Sequence, residues 1–266
     1  MSDIDWDHKQ SARRSPLKET PLRLPGQSID ERIGFLQEKI VEHLIMAMCC
    51  IVAACFGWIQ QWTGRPLNPV VLTIIAIIAI GYAWRRIVPL RTTMKNLRTG
   101  RDGERSVGQT LEQLREGGYR VFHDVPGPGF NIDHVIVGPA GIFAIETKTR
   151  TKPIGGCAKI VYDGQTIRIG QNQVLEKPLR QAHAQASWLS DFLNDGRSAV
   201  FHVRPIVVFP EWYVERTGHH SKDDVWVLNP KAVSHFLQHE PSVLSRPLIE
   251  AASHALARHC RSAQSA

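Results

Sequence analysis

Hydrophobic and polar positions divide the chain into a stretch almost without charge and a longer one in which apolar residues recur on helical and strand periods. Between Glu42 and Arg85 the one formal charge is Arg65, which separates two apolar segments, residues 44–62 and 67–84. At about 1.5 Å per helical residue each reaches roughly 27 Å, close to the thickness of a bilayer hydrocarbon core. Trp58 and Trp62 close the first segment, and Tyr82 and Trp84 close the second. Amphipathic rings favour headgroup depth, so both placements support crossing. Between the segments, Thr63-Gly64-Arg65-Pro66-Leu67-Asn68-Pro69 reads as a turn, with Asn68 as the N-cap and Pro69 in the first helical position. The pattern predicts a transmembrane helical hairpin over 43–84. A pair of helices buried in a soluble protein is the alternative, but a run such as Val70-Val71-Leu72-Thr73-Ile74-Ile75-Ala76-Ile77-Ile78-Ala79-Ile80 has no polar face to show water.

From about Gly100 onward the periods become those of a soluble α/β domain. An amphipathic helix is predicted near 103–116, with strands near 119–124, 131–137 and 141–148 and a hairpin near 158–169 around Asp163-Gly164. A helix over 178–194, a buried strand over 203–209, a strand over 225–228 and one or two helices between 230 and 259 follow. Helix, three strands, helix, strand predicts a mixed sheet with helices on both faces.

The 266 residues carry 32 Lys and Arg against 25 Asp and Glu, for +7 and a pI near 9.3. Such a balance invites a nucleic-acid reading, but its location argues otherwise. Residues 1–42 sum to −1, 43–84 to +1, 85–101 to +6 and 102–266 to +1. The excess lies just beyond Trp84, where topology and anionic lipid contact account for it. Seven Lys and Arg precede the first segment, one lies in the turn and six follow the second, which places both termini in the cytoplasm, at the inner or plasma membrane. The first apolar segment begins after 43 mostly polar residues, so a cleaved signal peptide is not expected. Residues 1–42 read as a largely flexible tail and 85–101 as a basic juxtamembrane linker. Five cysteines, at 49, 50, 55, 157 and 260, show neither a disulfide framework nor paired metal-ligand spacing.

Candidate chemistry lies in Asn131-Ile132-Asp133-His134-Val135-Ile136-Val137-Gly138-Pro139-Ala140-Gly141-Ile142-Phe143-Ala144-Ile145-Glu146-Thr147-Lys148, where two apolar runs flank turn residues. Pairing Gly138 with Gly141 sets Asp133 opposite Glu146 and Asn131 opposite Lys148. Asp133 then shares its face with Val135 and Val137, and Glu146 and Lys148 share theirs with Ile142 and Ala144. Two carboxylates facing each other on an apolar face repel unless something positive lies between them. A hard divalent cation, Mg²⁺ or Mn²⁺, would resolve the conflict, and Lys148 points to the same side. Metal, carboxylates and lysine are what phosphodiester hydrolysis requires. The same spacing also fits residues near strand ends in water, forming ordinary surface ion pairs.

Glu104 falls on the apolar face of the helix near 103–116, as a third carboxylate or as an acid favoured by a helix N-terminus. Gln181, beside the stripe Leu179, Ala182, Ala186, Leu189 and Leu193, could orient substrate or a carboxylate, or be solvated. His134 faces the other side of its strand and reads as structural, or as a partner to Asn or Asp side chains. His219-His220 reads as a solvated loop. No G-x-G-x-x-G, Walker loop, H-E-x-x-H or G-x-S-x-G is present.

Gly103-Glu104, Tyr119-Arg120-Val121-Phe122-His123-Asp124-Val125, Asn131-Ile132-Asp133-His134, Gly138-Pro139-Ala140-Gly141-Ile142-Phe143 and Glu146-Thr147-Lys148 together resemble the nuclease-related domain (NERD) family over about residues 100–210. That family belongs to the restriction-endonuclease-like superfamily, marked by an Asp followed by Asp/Glu-x-Lys. The resemblance implies a restriction-endonuclease-like mixed β-sheet flanked by helices over 102–229, with C-terminal helices over 230–266. It implies Asp133 and Glu146 as metal ligands and Lys148 as the catalytic lysine, with Glu104 matching the family's first-helix glutamate and Gln181 its helix glutamine. The resulting expectation is a membrane-anchored nuclease cleaving DNA with Mg²⁺ or Mn²⁺. The alternatives are a nucleic-acid-binding module without turnover and a protein-interaction scaffold at the membrane.

Overall fold

The computed structural model describes residues 22–61, 68–152, 158–170, 173–195, 200–217 and 224–264. The start of the expected tail, Trp62 and most of the turn after it, Cys157 and the His219-His220 loop lie outside the described residues.

Helix α1, Gln27–Gln61, and helix α2, Pro69–Glu112, form a long antiparallel hairpin of 35 and 44 residues. Asn68 caps α2 as predicted, its Oδ1 accepting from the Val70 N–H at 3.1 Å, with Pro69 next to it. Both helices exceed the apolar segments that nucleate them. The stretch expected as a flexible tail over 1–42 is helical from Gln27. The stretch expected as a separate linker over 85–101 is helical throughout, and α2 runs on into the helix expected near 103–116 before one 3₁₀ turn, Gln113–Gly117.

A heptad seam explains the extension. Ile33, Ile40, Ala47 and Ala54 are buried at spacings of seven on α1, and they meet Ala76, Ala83, Ile87 and Met94 of α2. A 3.5-residue repeat keeps one face of each helix toward its partner for the whole length. The seam crosses from the apolar segments into the charged ones without a break, carried by Ile29, Leu36, Leu90 and Leu97. Pro89 sits inside α2, where a proline costs about 3 kcal/mol in an unsupported helix, and the packing of Ile87, Leu90 and Met94 around it holds the helix together. Small residues let the helices approach: a Cβ on Gly57 would lie 2.6 Å from Leu72 Cδ1.

Away from the seam the apolar side chains point outward, among them Ile45, Val52, Ile59, Ile74, Ile78 and Trp84. Only 22% and 17% of the most apolar windows are buried, which leaves large apolar faces uncovered on both helices. Each helix is long and apolar enough to cross a membrane.

The remaining chain is a mixed α/β domain. Strands β1 (Arg120–Gly127), β2 (Phe130–Gly138), β3 (Gly141–Thr147), β7 (Val203–Val208) and β9 (Trp226–Leu228) form a five-stranded sheet in the order β1-β2-β3-β7-β9. The β2–β3 hairpin has the predicted register, from Gly138↔Gly141 to His134↔Ile145, and β7 joins β3 in parallel. One face packs on α3 (Lys177–Asn194) and α5 (Arg246–Gln264), and the other on the end of α2 and on α4 (Pro230–Gln238), so helices cover both faces. A second sheet was not expected: β4 (Lys159–Tyr162) and β5 (Ile167–Ile169) make the predicted hairpin, and β6 (Gln173–Leu175) and β8 (Tyr213–Arg216) flank it. Strands of three and four residues give too short an alternation to read from sequence.

At the end of β3, α2 passes so close that a Cβ on Gly103 would lie 1.8 Å from Thr149 Oγ1 and 2.9 Å from Thr149 Cβ. Gly103→Ala is therefore expected to destabilise the domain by about 1–3 kcal/mol. In an open helix the same change stabilises by about 0.5–1 kcal/mol. Thermal unfolding of the detergent-solubilised chain reads the sign.

Candidate active site at the end of strand β3

Alternation along β3 carries Ile142, Ala144, Glu146 and Lys148 to the face covered by α3. Two strand residues advance about 6.6 Å and one turn of four helical residues about 6 Å, so a strand E-x-K matches a helix Q-x-x-x-Q. Lys148 Nζ donates to Gln181 Oε1 at 3.1 Å, and Gln185 Nε2 donates to Glu146 Oε2 at 2.6 Å. Lys148 also pairs with Glu146 Oε1. Both Glu146 oxygens are thus engaged, and the side chain is 3% exposed. Gln185 Nε2 also donates to the Asn131 carbonyl at 3.2 Å. The lone-residue reading of Gln181 as solvated does not hold.

Asp133 sits one step past the last β2–β3 rung, and its Oδ2 accepts from the Thr147 N–H at 2.6 Å, so a carboxylate continues the ladder where the backbone pairing stops. The expected face-to-face meeting with Glu146 is present as proximity, although strict alternation fails here: Ile132 joins the core of Val135 and Val137. Opposite Asp133 on β1, Asp124 takes a positive φ of 49° and is buried. Its carboxylate accepts from Arg23 Nε at 2.8 Å, from the Ser28 N–H at 2.8 Å and hydroxyl at 2.6 Å, and from Asn131 Nδ2 at 2.9 Å. An anion at the first turn of α1 is favoured by the free N–H groups there.

Glu104 reaches the same centre from α2. Burial, then the charges of Asp124 and Glu146, push its carboxyl up to about 8, against a smaller opposing effect of Lys148. Asp133 is raised well above the carboxylate range by burial, then by Glu146 and Glu104, with the Thr147 N–H and Lys148 opposing. The structure therefore brings together all five of Glu104, Asp133, Glu146, Lys148 and Gln181, with Glu104 and Glu146 buried, Asp133, Lys148 and Gln181 half-buried, and none forming an exposed surface ion pair.

A cleft of about 820 Å³ opens beside them, walled by Asn96, Thr99, Gly100 and Glu104 of α2, by residues 147–152, by Ile169, Gly170 and Gln173, and by Trp212. Lys148, Arg150 and Lys152 give it cationic character. Thr147 Oγ1, Thr149 Oγ1 and Gln185 Oε1 are buried without a partner among the described residues. No group of three His, Cys, Asp or Glu side chains closes on a point that could hold a metal among the described residues. The donor chemistry nevertheless suits a hard cation: oxygen ligands only, crowded carboxyls with raised affinity for protons, and hydroxyls with unused lone pairs.

His134 lies on the other sheet face, as expected, but its partner is a histidine and not an Asn or Asp. His134 Nδ1 and His123 Nδ1 are 2.8 Å apart, and His123 Nε2 is 2.7 Å from Glu112 Oε1. Burial lowers the pKa of both rings, so they form a neutral structural pair.

Gln185, Asp124, Arg23 and Ser28 were not singled out from sequence. Gln185 had a readable signal, one turn from Gln181 on the Ala182–Ala186 stripe; Arg23 and Ser28, about 100 residues from Asp124, had none.

Helix, three antiparallel strands, helix and parallel strand bring an acid, an E-x-K pair and two helix glutamines together at the end of β3. Residues 99–210 match the family model described as the nuclease-related domain, NERD. No curated protein matches the chain, and no solved structure does.

The raised carboxyl of Glu104 has a thermodynamic consequence. Its folded-state pKa of about 8 exceeds the ordinary glutamate value of 4.5, so its contribution is fully present below about pH 4.5 and is lost as pH rises toward 8. Unfolding free energy should fall by about 1.4 kcal/mol per pH unit across that window from this group. Glu104→Gln is expected to flatten the fall; an unchanged slope in urea titrations from pH 5 to 8 would count against the assignment.

Proposed function

We propose that the chain is a membrane-anchored, metal-dependent nuclease that hydrolyses phosphodiester bonds in DNA. The observation that supports this most is the joint placement of Asp133, Glu146 and Lys148 at a cationic cleft in a nuclease-related domain. Asp133 and Glu146 would hold Mg²⁺ or Mn²⁺, with Glu104 as a third carboxylate. When bound, the metal supplies Lewis-acid polarisation of the phosphate and a lower pKa for water.

The side chains of the protein do the rest. Lys148 Nζ, held by Gln181, presents its N–H donors to the cleft, where they would stabilise negative charge building on phosphate oxygens. Gln185 fixes the rotamer of Glu146. Arg150 and Lys152 sit where a phosphodiester backbone would enter. The two apolar helical segments would cross the inner or plasma membrane with both flanks cytoplasmic, and Arg85 and Arg86, next to Trp84, would meet anionic lipid headgroups.

A second reading, nucleic-acid binding without turnover, is favoured by one observation: both Glu146 oxygens are already occupied by Lys148 and Gln185. Cleavage separates the two. Full-length protein with Mn²⁺ is expected to cut plasmid or linear DNA, Lys148→Ala to lose about 10²-fold or more, and chelation to abolish the activity. Retarded DNA without product in both proteins selects the binding reading. Mn²⁺ is also expected to raise the melting temperature of wild type more than that of Asp133→Asn, independently of turnover.

A further inference from the structure

We propose that Arg91, Lys95 and Arg98 of α2 form a phosphate-binding track continuous with the cleft, so that nucleic acid is held along the helical stalk between the domain and the membrane. The inference rests on reading the cleft as a nucleic-acid site on a membrane-anchored chain.

Because α2 is one helix from the apolar segment to Glu104, distance from the membrane can be counted along it. From Trp84, Arg91 lies about 10 Å out, Lys95 about 16 Å, Arg98 about 21 Å and Glu104 about 30 Å. The field of an anionic bilayer falls off within a Debye length of about 8 Å at physiological salt. It covers Arg85 and Arg86, fades near Arg91 and does not reach Lys95 or Arg98. The lipid contact expected over the whole of 85–101 therefore contracts to its first turn.

Arg91, Lys95 and Arg98 are exposed and stand at i, i+4 and i+7, one stripe of the helix. Like charges at this spacing repel. Neighbouring cations have partners: Arg101 and Arg105 pair with Asp30, and Lys39 pairs with Glu42. No ion pair is formed by Arg91, Lys95 or Arg98 among the described residues. The seam side of α2 is taken by Ile87, Leu90, Met94 and Leu97, while Asn96 and Thr99, next around the helix from Lys95, already wall the cleft. The stripe thus borders the cleft, on the side toward the membrane.

A ligand that meets both surfaces is a polyanion with phosphates repeating along its length. Residues 102–266 carry a net charge of only +1, so this track supplies the attraction that the domain itself lacks.

The test uses the full chain in phosphatidylcholine nanodiscs, with a labelled single-stranded oligonucleotide and its duplex, in EDTA to prevent cleavage. Each phosphate contact adds about 0.9 to the slope of log affinity against log salt on the duplex and about 0.7 on the single strand. Arg91→Gln/Lys95→Gln/Arg98→Gln, which keeps good helix formers, is expected to lower the duplex slope by about 2.7. Wild type should then lose about 40-fold more affinity than the variant between 50 and 200 mM salt. Arg91→Lys/Arg98→Lys should retain the wild-type slope, as should Arg85→Gln/Arg86→Gln. Equal slope and affinity for wild type and the triple Gln variant would overturn the track, and so would a loss that Lys does not restore. Cleavage in Mn²⁺ is scored separately: Lys148→Ala that cuts as poorly as wild type sinks hydrolysis while a changed slope leaves the track standing.

Discussion

Carboxyl groups crowd the end of β3 faster than positive charge can offset them. Glu146 and Asp124 are buried, Glu104 nearly so, and Asp133 lies close to Glu146 and Glu104, while among the described residues Lys148 is the one cation paired with Glu146. Removing a carboxylate from water without a partner costs several kcal/mol. Each acid is relieved differently. Glu146 receives an ammonium and an amide, Asp133 receives a backbone N–H, and Asp124 receives Arg23, Ser28 and Asn131. Glu104 holds its proton up to about pH 8. Gln181 and Gln185 on α3 serve that demand, one holding Lys148 and the other Glu146.

Relief of Asp124 also ties the two ends of the molecule together. Arg23 lies just before α1 and Ser28 in its first turn, and Asp30 on that turn holds Arg101 and Arg105, on either side of Glu104 on α2. Both legs of the hairpin are thereby bolted to the site, one through Asp124 and one through Glu104. With the heptad seam between them, the domain is carried on a stiff two-helix stalk. Its distance from the apolar segments is then set by helix length, about 1.5 Å per residue, and not by the statistics of a flexible chain.

Charge acquires a different meaning on such a stalk. A pI near 9.3 says nothing about where a polyanion would bind. On a flexible linker, six cations would be free to fold back onto lipid. Held on a rigid helix, they are spaced at fixed heights from Trp84, the later ones toward a cleft lined by Lys148, Arg150 and Lys152.

Local patterns were legible in the amino-acid order: the apolar segments, the Asn68-Pro69 helix start, the β2–β3 register that carries Asp133, Glu146 and Lys148 to one place, and Glu104 and Gln181 as its neighbours. Each depends on periods of 2 or about 3.6 residues and on turn chemistry within a few positions. Gln185 was within reach of the same reasoning but was absorbed into an apolar stripe. Only the tertiary structure decided that α2 is continuous through 85–101, that Asp124 joins the site, and that Arg23, Ser28 and Asp30 close it. Those contacts join side chains about 70 to 100 residues apart and answer a charge imbalance that exists only once the chain has buried its carboxyls, so no local period encodes them.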